Sequence, residues 1–533
     1  MYKDFLREYE ELGHMSEVTD TNEPNNAYYV PHHGIYRPQK TSTKLRTVFN
    51  ASCLTSNGNS LNSLQLNGGV IQDDLFTIMV RFRKHIFAFS ADIRMMYRNI
   101  EINPDQRSLL RILWKTEIDA PVKIYELATV TYGTVCAPFL AMRTLQQISM
   151  DEGERFPLAA PVLRNDMYMD DVLSGSDTLS ATKELQLQLI EILKCAGMSL
   201  HKWSSNSNEL TVGDNTHPLS DEEETKTLGV SWKSKKDVFV FNVKLEESEI
   251  TKRRVLSSVA KLFDPIGLLG PVISKAKIFL QRLWLLKLNW DEPLPKKEAD
   301  EWKCFYSELQ QLCNFEIDRC ILITEADLVE IHGFADASET AYGAVVYCKS
   351  RSISGEIKVR LVASKSRVCP IKKVTIPRLE LCAAVLLTKL MTRVLSALQI
   401  SVNHVFMWTD SMIVLYWIKK EPSQLKTFVA NRVAIIQEKT TVDQWHHLPS
   451  KENPADLISR GLDPSKFIKS ELWLTGPSFL MENEYPNREV PEEIITRDYS
   501  DELKKCSDSN ITLNLKINPF LDEFLNLTNN YVF

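Results

Sequence analysis

The sequence predicts a multidomain chain of α/β and α+β class, with a split βαβ unit in its first half and a mixed-sheet domain in its second. Three observations predict it. An apolar strand, Ile86 to Asp92, ends on a carboxylate and is followed by a helix, a hairpin with Asp170 and Asp171 at its tip, and a second helix, which is the order of a split βαβ unit. From residue 330 a second run of strands and helices sets Asp336, Glu380, Asp410 and Asp456 each at the end of a strand or the start of a helix. The length of 533 residues exceeds one compact core and suggests about three or four units.

Composition bounds the rest. A hydrophobic content of 44% with 25% charged residues is that of a folded globular protein. The net charge of -6 argues against a uniformly basic coat for nucleic acid, yet basic residues gather at Lys40 to Arg46, Arg81 to Lys84, Lys233 to Lys236, Lys252 to Arg254 and Lys365 to Arg378. Phosphate contact needs only local positive surface, and a solvated face is the plainer reading of each cluster singly. Ten cysteines show no CxxC pair and no zinc-type Cys/His spacing, so free thiols in a reducing compartment are expected. No run is read as approaching the roughly 20 apolar residues of a membrane span, and Met1-Tyr2-Lys3-Asp4 lacks the layout of a signal peptide.

Taken in order, residues 1–25 read as a polar segment with one helical stretch near Tyr2 to Leu12. Tyr28 to Tyr36 and Ser42 to Asn50 read as strands, and Lys44 and Arg46, two apart, share a face that would suit a phosphate clamp. After the Asp92 strand, Gly133 permits close backbone approach, and Pro138 suits the first turn of a helix running to about Met150. The stretch Asn165 to Leu173 sets two carboxylates between β-prone residues, a tight hairpin. Adjacent like charges repel, and a hard divalent cation reverses that cost. Read alone, the pair also fits a solvated Asp-Asp turn. An amphipathic helix from Ala181 to Cys195 follows, closed by Gly197. The split βαβ order lets the first and third elements share a sheet and brings Asp92 to Asp170, the geometry of two-metal phosphoryl transfer, with cations about 3.5 to 4 Å apart.

Asp92 with Tyr97, Gly133 to Pro138, Tyr168-Met169-Asp170-Asp171, Gly197 to Trp203 and Leu228 to Trp232 resemble successive reverse-transcriptase motifs in the right order. The YxDD tetrad with Met second is typical of retroviral and LTR-retrotransposon enzymes. Arg46 to Ser52 upstream and Leu262 to Leu268 downstream resemble the Pao/BEL group, and the likeness runs from about 25 to 480. It implies a right-hand polymerase with fingers, palm and thumb. Asp92, Asp170 and Asp171 would be its metal-binding acids. Tyr97 falls at the aromatic steric gate that disfavours a ribose 2′-hydroxyl, a core aromatic being the alternative. Arg46 matches the arginine that grips the incoming triphosphate, with Lys44 assisting. Lys202 sits near the lysine that protonates the leaving pyrophosphate, and a plain surface lysine fits equally. Tyr168 and Met169, within the tetrad, and Gly133 complete the implied substrate-binding set. Tyr132 stands where retroviral enzymes carry Gln.

Downstream, Arg254 to Leu262 and Ile273 to Leu286 read as helices of core type, thumb and connection in the family. The four later acids then resemble the ribonuclease H set. Glu380 is expected in the first turn of a helix after Pro377, and Asn453 and Pro454 as cap and first-turn residues ahead of Asp456. The loop before Asp456 is short for the family's mobile His, and His447 lies beside Trp445. The tail after about 465 carries no integrase-like acid triad.

The expected division is a polar segment at 1–25, reverse-transcriptase fingers and palm at 26–240, thumb and connection helices at 241–325, a ribonuclease H-like mixed-sheet domain at 326–465, and a tail at 466–533 leading toward an integrase. The resemblance implies an RNA-directed DNA polymerase with hybrid-specific ribonuclease activity that copies retrotransposon RNA into DNA. Asp92, Asp170 and Asp171 would hold two Mg²⁺ or Mn²⁺ ions, and Asp336, Glu380, Asp410 and Asp456 two more. The implied partners are an RNA template, a DNA primer, an RNA–DNA hybrid and dNTPs, with gag, protease and integrase parts of the same element and no membrane. The implied place is a cytoplasmic retroelement particle, the product going to the nucleus. The alternative is a catalytically inactive or domesticated remnant that binds nucleic acid.

Overall fold

The computed structural model describes residues 1–19, 24, 26–38, 44–210, 225–227, 229–243, 249–485 and 502–504. Lys40, the first residue of the expected basic cluster, with Thr41 to Thr43, Leu228 and most of the tail after 485, lies outside them.

The chain opens with helix α1 (Tyr2–Glu11), strand β1 (Met15–Glu17), a hairpin of β2 (His32–Tyr36) and β3 (Leu45–Phe49), and the short helix α2 (Leu61–Leu64). Within residues 1–25, read as a polar segment with one helical stretch, Leu6 and Tyr9 of α1 are buried with Met15, Phe49, Ile112, Tyr125 and Leu127. Strand β1 also pairs with a later strand, Met15 opposite Leu127. The polar majority of this stretch hides a narrow apolar stripe one helical turn long, which is enough to seat it.

Next come α3 (Leu75–Phe82), β4 (Phe87–Ile93), β5 (Arg111–Trp114), β6 (Lys123–Leu127), α4 (Ala137–Asp151), α5 (Ala159–Asn165), β7 (Met167–Tyr168), β8 (Asp171–Ser176), α6 (Leu179–Cys195) and β9 (Leu200–Ser205). Four of these strands form an antiparallel sheet in the order β7-β8-β4-β9. Alternation along β4 explains why both faces are covered. Phe89, Ala91 and Ile93 join the core built by α4, α5 and α6, while Ala88 meets α3 on the other side.

A second four-stranded sheet, β10 (Thr225–Thr227), β11 (Val230–Lys233), β12 (Val238–Val240) and β13 (Glu316–Asp318), is closed by a strand that returns after the three helices α7 (Lys252–Lys261), α8 (Gly270–Leu285) and α9 (Lys296–Glu308). The segment 241–325, expected as thumb and connection helices, also holds the strand β13. The last unit has β14 (Ala326–Ala337), β15 (Ala341–Ser352), β16 (Ile357–Val368), α10 (Ile376–Leu398), β17 (His404–Thr409), α11 (Met412–Ile418), α12 (Thr427–Lys439), β18 (Trp445–His447), α13 (Pro454–Arg460), α14 (Pro464–Phe467) and α15 (Glu471–Thr475). Its five-stranded sheet runs β16-β15-β14-β17-β18, antiparallel among the first three and parallel from β14 to β18.

Helix α10 is long and apolar enough, by length and composition, to cross a membrane, against the expectation that no run approaches such a span. It is a core helix here: Leu381, Ala384, Leu387 and Val394 are fully buried. Residues 466–485 are likewise less of a tail than expected, since Phe467, Trp473, Phe479 and Leu480 are buried in the same core and Trp473 Nε1 donates to Leu268 O at 2.9 Å. The nine cysteines among the described residues are all free thiols.

Two buried arginines bolt the units together. Arg83 donates to Arg319 O (2.9 Å), Val362 O (2.7 Å) and Asp318 O (2.9 Å). Arg319 donates to Phe82 O (2.6 Å), His85 O (2.7 Å) and both oxygens of Asp237 (2.5 and 2.7 Å). Burial, with the neighbouring Arg319 charge, lowers the Arg83 guanidinium to about 10, still protonated at neutral pH. Arg81 is also spent inside the protein, on Asp73 and Asp166. The cluster Arg81 to Lys84 thus serves structure. Replacing Arg319 by Met strands Asp237 and two carbonyls, and chemical denaturation is expected to show a loss of about 3–5 kcal/mol. Arg253→Ala, which breaks the fully exposed pair with Asp291, should leave the denaturation midpoint essentially unchanged.

Candidate active sites

In the first site, Asp92 lies one residue from the end of β4 and faces Asp171 of β8 directly across the antiparallel ladder. The hairpin β7–β8 turns through Met169, whose φ of 58° lies in the left-handed region, and this sets Asp170 at the exposed tip. Ile93 N donates to Asp170 O at 2.8 Å, so the tip is tied back to β4. Three carboxylates consequently share one end of the sheet. The Asp171 carboxyl is pushed up to about 7, first by burial and then by the charges of Asp170 and Asp92. Asp170 is also raised, by loss of solvent on its inner side and then by Asp92.

Partial compensation comes from Lys202, whose Nζ lies 2.7 Å from Asp92 Oδ2, and whose own backbone is left-handed at φ 53°. His201 Nε2 stands 3.9 Å from Asp92 Oδ1, a neighbour that sequence reasoning passed over. The signal was present, since β9 runs antiparallel to β4 with His201 opposite Asp92, but only the pairing register reveals it. Tyr97 follows Met95, another left-handed residue, in a single 3₁₀ turn. Its phenol is half-buried and is raised by burial and then by the Asp170 charge. Tyr168, in β7, packs against the central core, and Met169 packs against the core under α4 and α6.

The remaining expected residues sit farther out. Gly133 has φ 102°, and a Cβ there would meet Phe49 O at 2.2 Å, so only glycine fits against the β3 backbone. Tyr132 beside it packs its ring 5.3 Å from that of Phe49. Arg46 is exposed on β3, paired in register with Ile35, and its charge reaches Tyr132. Lys44 is exposed just before β3, its carbonyl accepting from Arg37 N at 2.7 Å. Among the described residues neither cation pairs with Asp92, Asp170 or Asp171.

The second site is more deeply buried. Strands β14 and β17 are parallel with Ala335 opposite Thr409, so Asp336 and Asp410 leave the sheet side by side. Helix α10 begins at Ile376, two residues earlier than expected, and Glu380 therefore opens its second turn rather than lying in the first. Its Oε1 accepts from Ala337 N at 3.2 Å. Each of Asp336, Glu380 and Asp410 offers an oxygen within 4.8 Å of the others. Asp456, on α13, pairs with Arg460, and its charge bears on both Asp336 and Glu380. Ser459 Oγ donates to Asp336 Oδ2. Asn453 is a positioning residue: buried, it caps α13 by accepting from Ala455 N (3.1 Å) and donates to Ala335 O (3.0 Å), tying the helix to the strand that carries Asp336. His447 lies on β18 opposite Thr409.

Burial, with the neighbouring carboxylates behind it, pushes Glu380 up to about 9; burial also lifts Asp336 to about 7, against the lowering hydrogen bond from Ser459. Two oxygens, Glu380 Oε2 and Asp410 Oδ1, are buried with no hydrogen-bond partner among the described residues. An unmade bond to a buried charged acceptor is costly, and a hard divalent cation satisfies such oxygens. The donor set fits that group.

Residues 251–411 match the family model described as the Pao retrotransposon-like RNaseH-like domain, a span that includes Asp336, Glu380 and Asp410. Three solved structures share the architecture at 13% sequence identity. A foamy viral protease-reverse transcriptase dRH in complex with double-stranded DNA aligns over 83% of this chain and 68% of its own with a TM-score of 0.53. The foamy viral protease-reverse transcriptase with an RNA/DNA hybrid aligns over 84% and 53% at 0.52, and its complex with double-stranded DNA over 84% and 82% at 0.53. The fold is that of a reverse transcriptase with its ribonuclease H domain. The family match covers 251–411 and the structural likeness the wider architecture, so the chain resembles a Pao retrotransposon-like RNaseH-like domain set within a reverse-transcriptase fold. No curated protein matches the chain.

The raised carboxyls set a pH dependence. Both folded values exceed the unfolded ones of 3.8 and 4.5, so the stability these groups contribute is present at low pH and is lost as pH rises through about 7 for Asp336 and about 9 for Glu380. The chelated protein is expected to melt progressively lower from pH 5.5 to about 8.5, less steeply in Glu380→Gln. Mg²⁺ should raise the melting temperature more at the alkaline end; a shift equal at both ends contradicts the assignment.

Proposed function

We propose that the chain is an RNA-directed DNA polymerase joined to a nuclease that cuts the RNA strand of an RNA–DNA hybrid. The observation that carries the reading is the presence of two separate carboxylate constellations, each gathered at strand ends of its own sheet. Structural neighbours in complex with double-stranded DNA and with an RNA/DNA hybrid support the substrate class.

Asp92, Asp170 and Asp171 would hold the polymerase cations, and Asp336, Glu380, Asp410 and Asp456 those of the nuclease, two Mg²⁺ or Mn²⁺ per site. Bound there, the cations supply activation of the attacking hydroxyl or water and support of the departing oxygen. The chain's own residues do the rest. Tyr97, within reach of the Asp170 charge, limits the room for a ribose 2′-hydroxyl. Lys202 stands at Asp92, in reach of a leaving pyrophosphate as a proton donor. Arg46 and Lys44 project from the β2–β3 hairpin toward solvent, where a triphosphate would approach. Asn453 and Ser459 fix the angle between α13 and β14 and so the placement of Asp336 against Asp456. On this reading the work is done in a cytoplasmic retroelement particle beside the gag, protease and integrase parts of the element.

The test is Mg²⁺-dependent dNTP incorporation on a primed RNA template, with cleavage of the hybrid followed in the same assay. Asp170→Asn is expected to cut extension by about 10³-fold or more and leave hybrid cleavage intact, and Glu380→Gln the reverse. A wild-type chain that binds hybrid but neither extends nor cuts would instead be a binding remnant. Tyr97→Val should raise ribonucleotide incorporation by at least about tenfold, read from the ratio of kcat/KM for the two sugars.

A further inference from the structure

Residues 502–504 return to the ribonuclease H-like domain and pair with the loop ahead of α12. Lys426 N donates to Glu502 O and Lys504 N to Gln424 O, both at 2.8 Å, with Leu503 opposite Leu425 in an antiparallel bridge. The pairing delivers the Glu502 carboxylate onto Arg378, whose Nε lies 2.8 Å and Nη2 2.7 Å from the same oxygen, Oε1. Arg378 closes the basic run that starts at Lys365 and stands two positions before Glu380 on α10. Lys372 and Lys373, both exposed, lead into it. Its guanidinium lies 5.0 Å from the ring of Phe428, which Arg432 covers at 3.5 Å, so two cations flank one aromatic.

The contact is poorly matched. A carboxylate meeting a guanidinium well uses both oxygens in a fork. Here one oxygen takes both donors, and Glu502 Oε2 is buried with no hydrogen-bond partner among the described residues. An orphaned buried oxygen is a standing cost, and two backbone hydrogen bonds and one leucine hold the segment against it. A phosphodiester brings two non-bridging oxygens to the same guanidinium and leaves no buried carboxylate behind.

We propose that Arg378 is a phosphate contact for the RNA–DNA hybrid, and that Glu502 is a carboxylate stand-in that occupies it until hybrid displaces the segment. The inference rests on the hybrid-binding reading given above. It makes residues 502–504 a built-in competitor of the nucleic acid, acting by charge and by occupancy.

The test is equilibrium binding of a fluorescent RNA–DNA hybrid to the full chain, with Ca²⁺ in place of Mg²⁺ to hold turnover down. Glu502→Gln is expected to bind about three- to tenfold tighter, with a log–log salt slope steeper by about one. Arg378→Gln should weaken binding, and in the double variant the gain from Glu502→Gln should vanish. Leu503→Ser, which loosens the segment without changing charge, should reproduce the tightening, and it decides the matter if Glu502→Gln does not fold. Unchanged affinity in both tail variants, or a gain that survives in the double variant, overturns the proposal. A wild-type chain with no affinity for hybrid overturns the hybrid-binding reading instead.

Discussion

Repulsion between carboxylates that the fold forces together is the constraint on which both candidate sites depend. Water would separate Asp336, Glu380 and Asp410; the sheet does not allow it, because β14 and β17 are hydrogen-bonded in a fixed parallel register and α10 is packed over them by buried leucines and alanines. Burial first, and that repulsion with it, holds carboxyls far above their ordinary range and leaves two buried oxygens without hydrogen-bond partners among the described residues. A core that packs this tightly can hold such strain, since side chains in a close-packed interior cannot swing apart without opening a cavity.

The same rigidity extends across the units. Arg83 and Arg319 saturate carbonyls from α3, β13, β16 and the turn before β4, so the sheet carrying Asp92 and the sheet carrying Asp336 are braced through one buried pair of cations. Two like charges at this depth persist because each is surrounded by carbonyl oxygens and Asp237. On the proposed reading, a hybrid leaving the first site would meet the second at a spacing that this buried brace helps to set.

Much of this was legible in the sequence, for a physical reason. Acids at strand ends, glycines in left-handed turns and prolines at helix starts are local features, and the α/β class follows from their order. What was missed is non-local. The stripe on α1 makes sense only once β6 is there to receive it, and β13 joins a sheet whose other strands lie some eighty residues earlier. His201 becomes a neighbour of Asp92 only through the register of β9 on β4. The basic cluster at Arg81 to Lys84 looked like surface because burying an arginine is worthwhile only where several carbonyls converge, and no local pattern announces that convergence. Helix α10 is the converse case: its composition passes for a membrane span, and Glu380 opening its second turn, facing Ala337, shows that its environment is a polar active-site edge.

The two sites differ in how they meet their charge. At the first, Lys202 sits on Asp92 and the hairpin tip is open to solvent, so repulsion is relieved partly by a cation of the chain and partly by water. At the second, Arg460 is engaged with Asp456 at the rim, and among the described residues the inner acids take hydrogen bonds from Ser459 and from the Ala337 N–H. An exposed pair is worth little and yields easily to a ligand, whereas buried acceptors left unpaired bind a hard cation with the full weight of their lost hydration. On the proposed reading, the first site would exchange its occupants with each nucleotide, and the second would keep a divalent ion on the buried oxygens the fold leaves unpaired among the described residues.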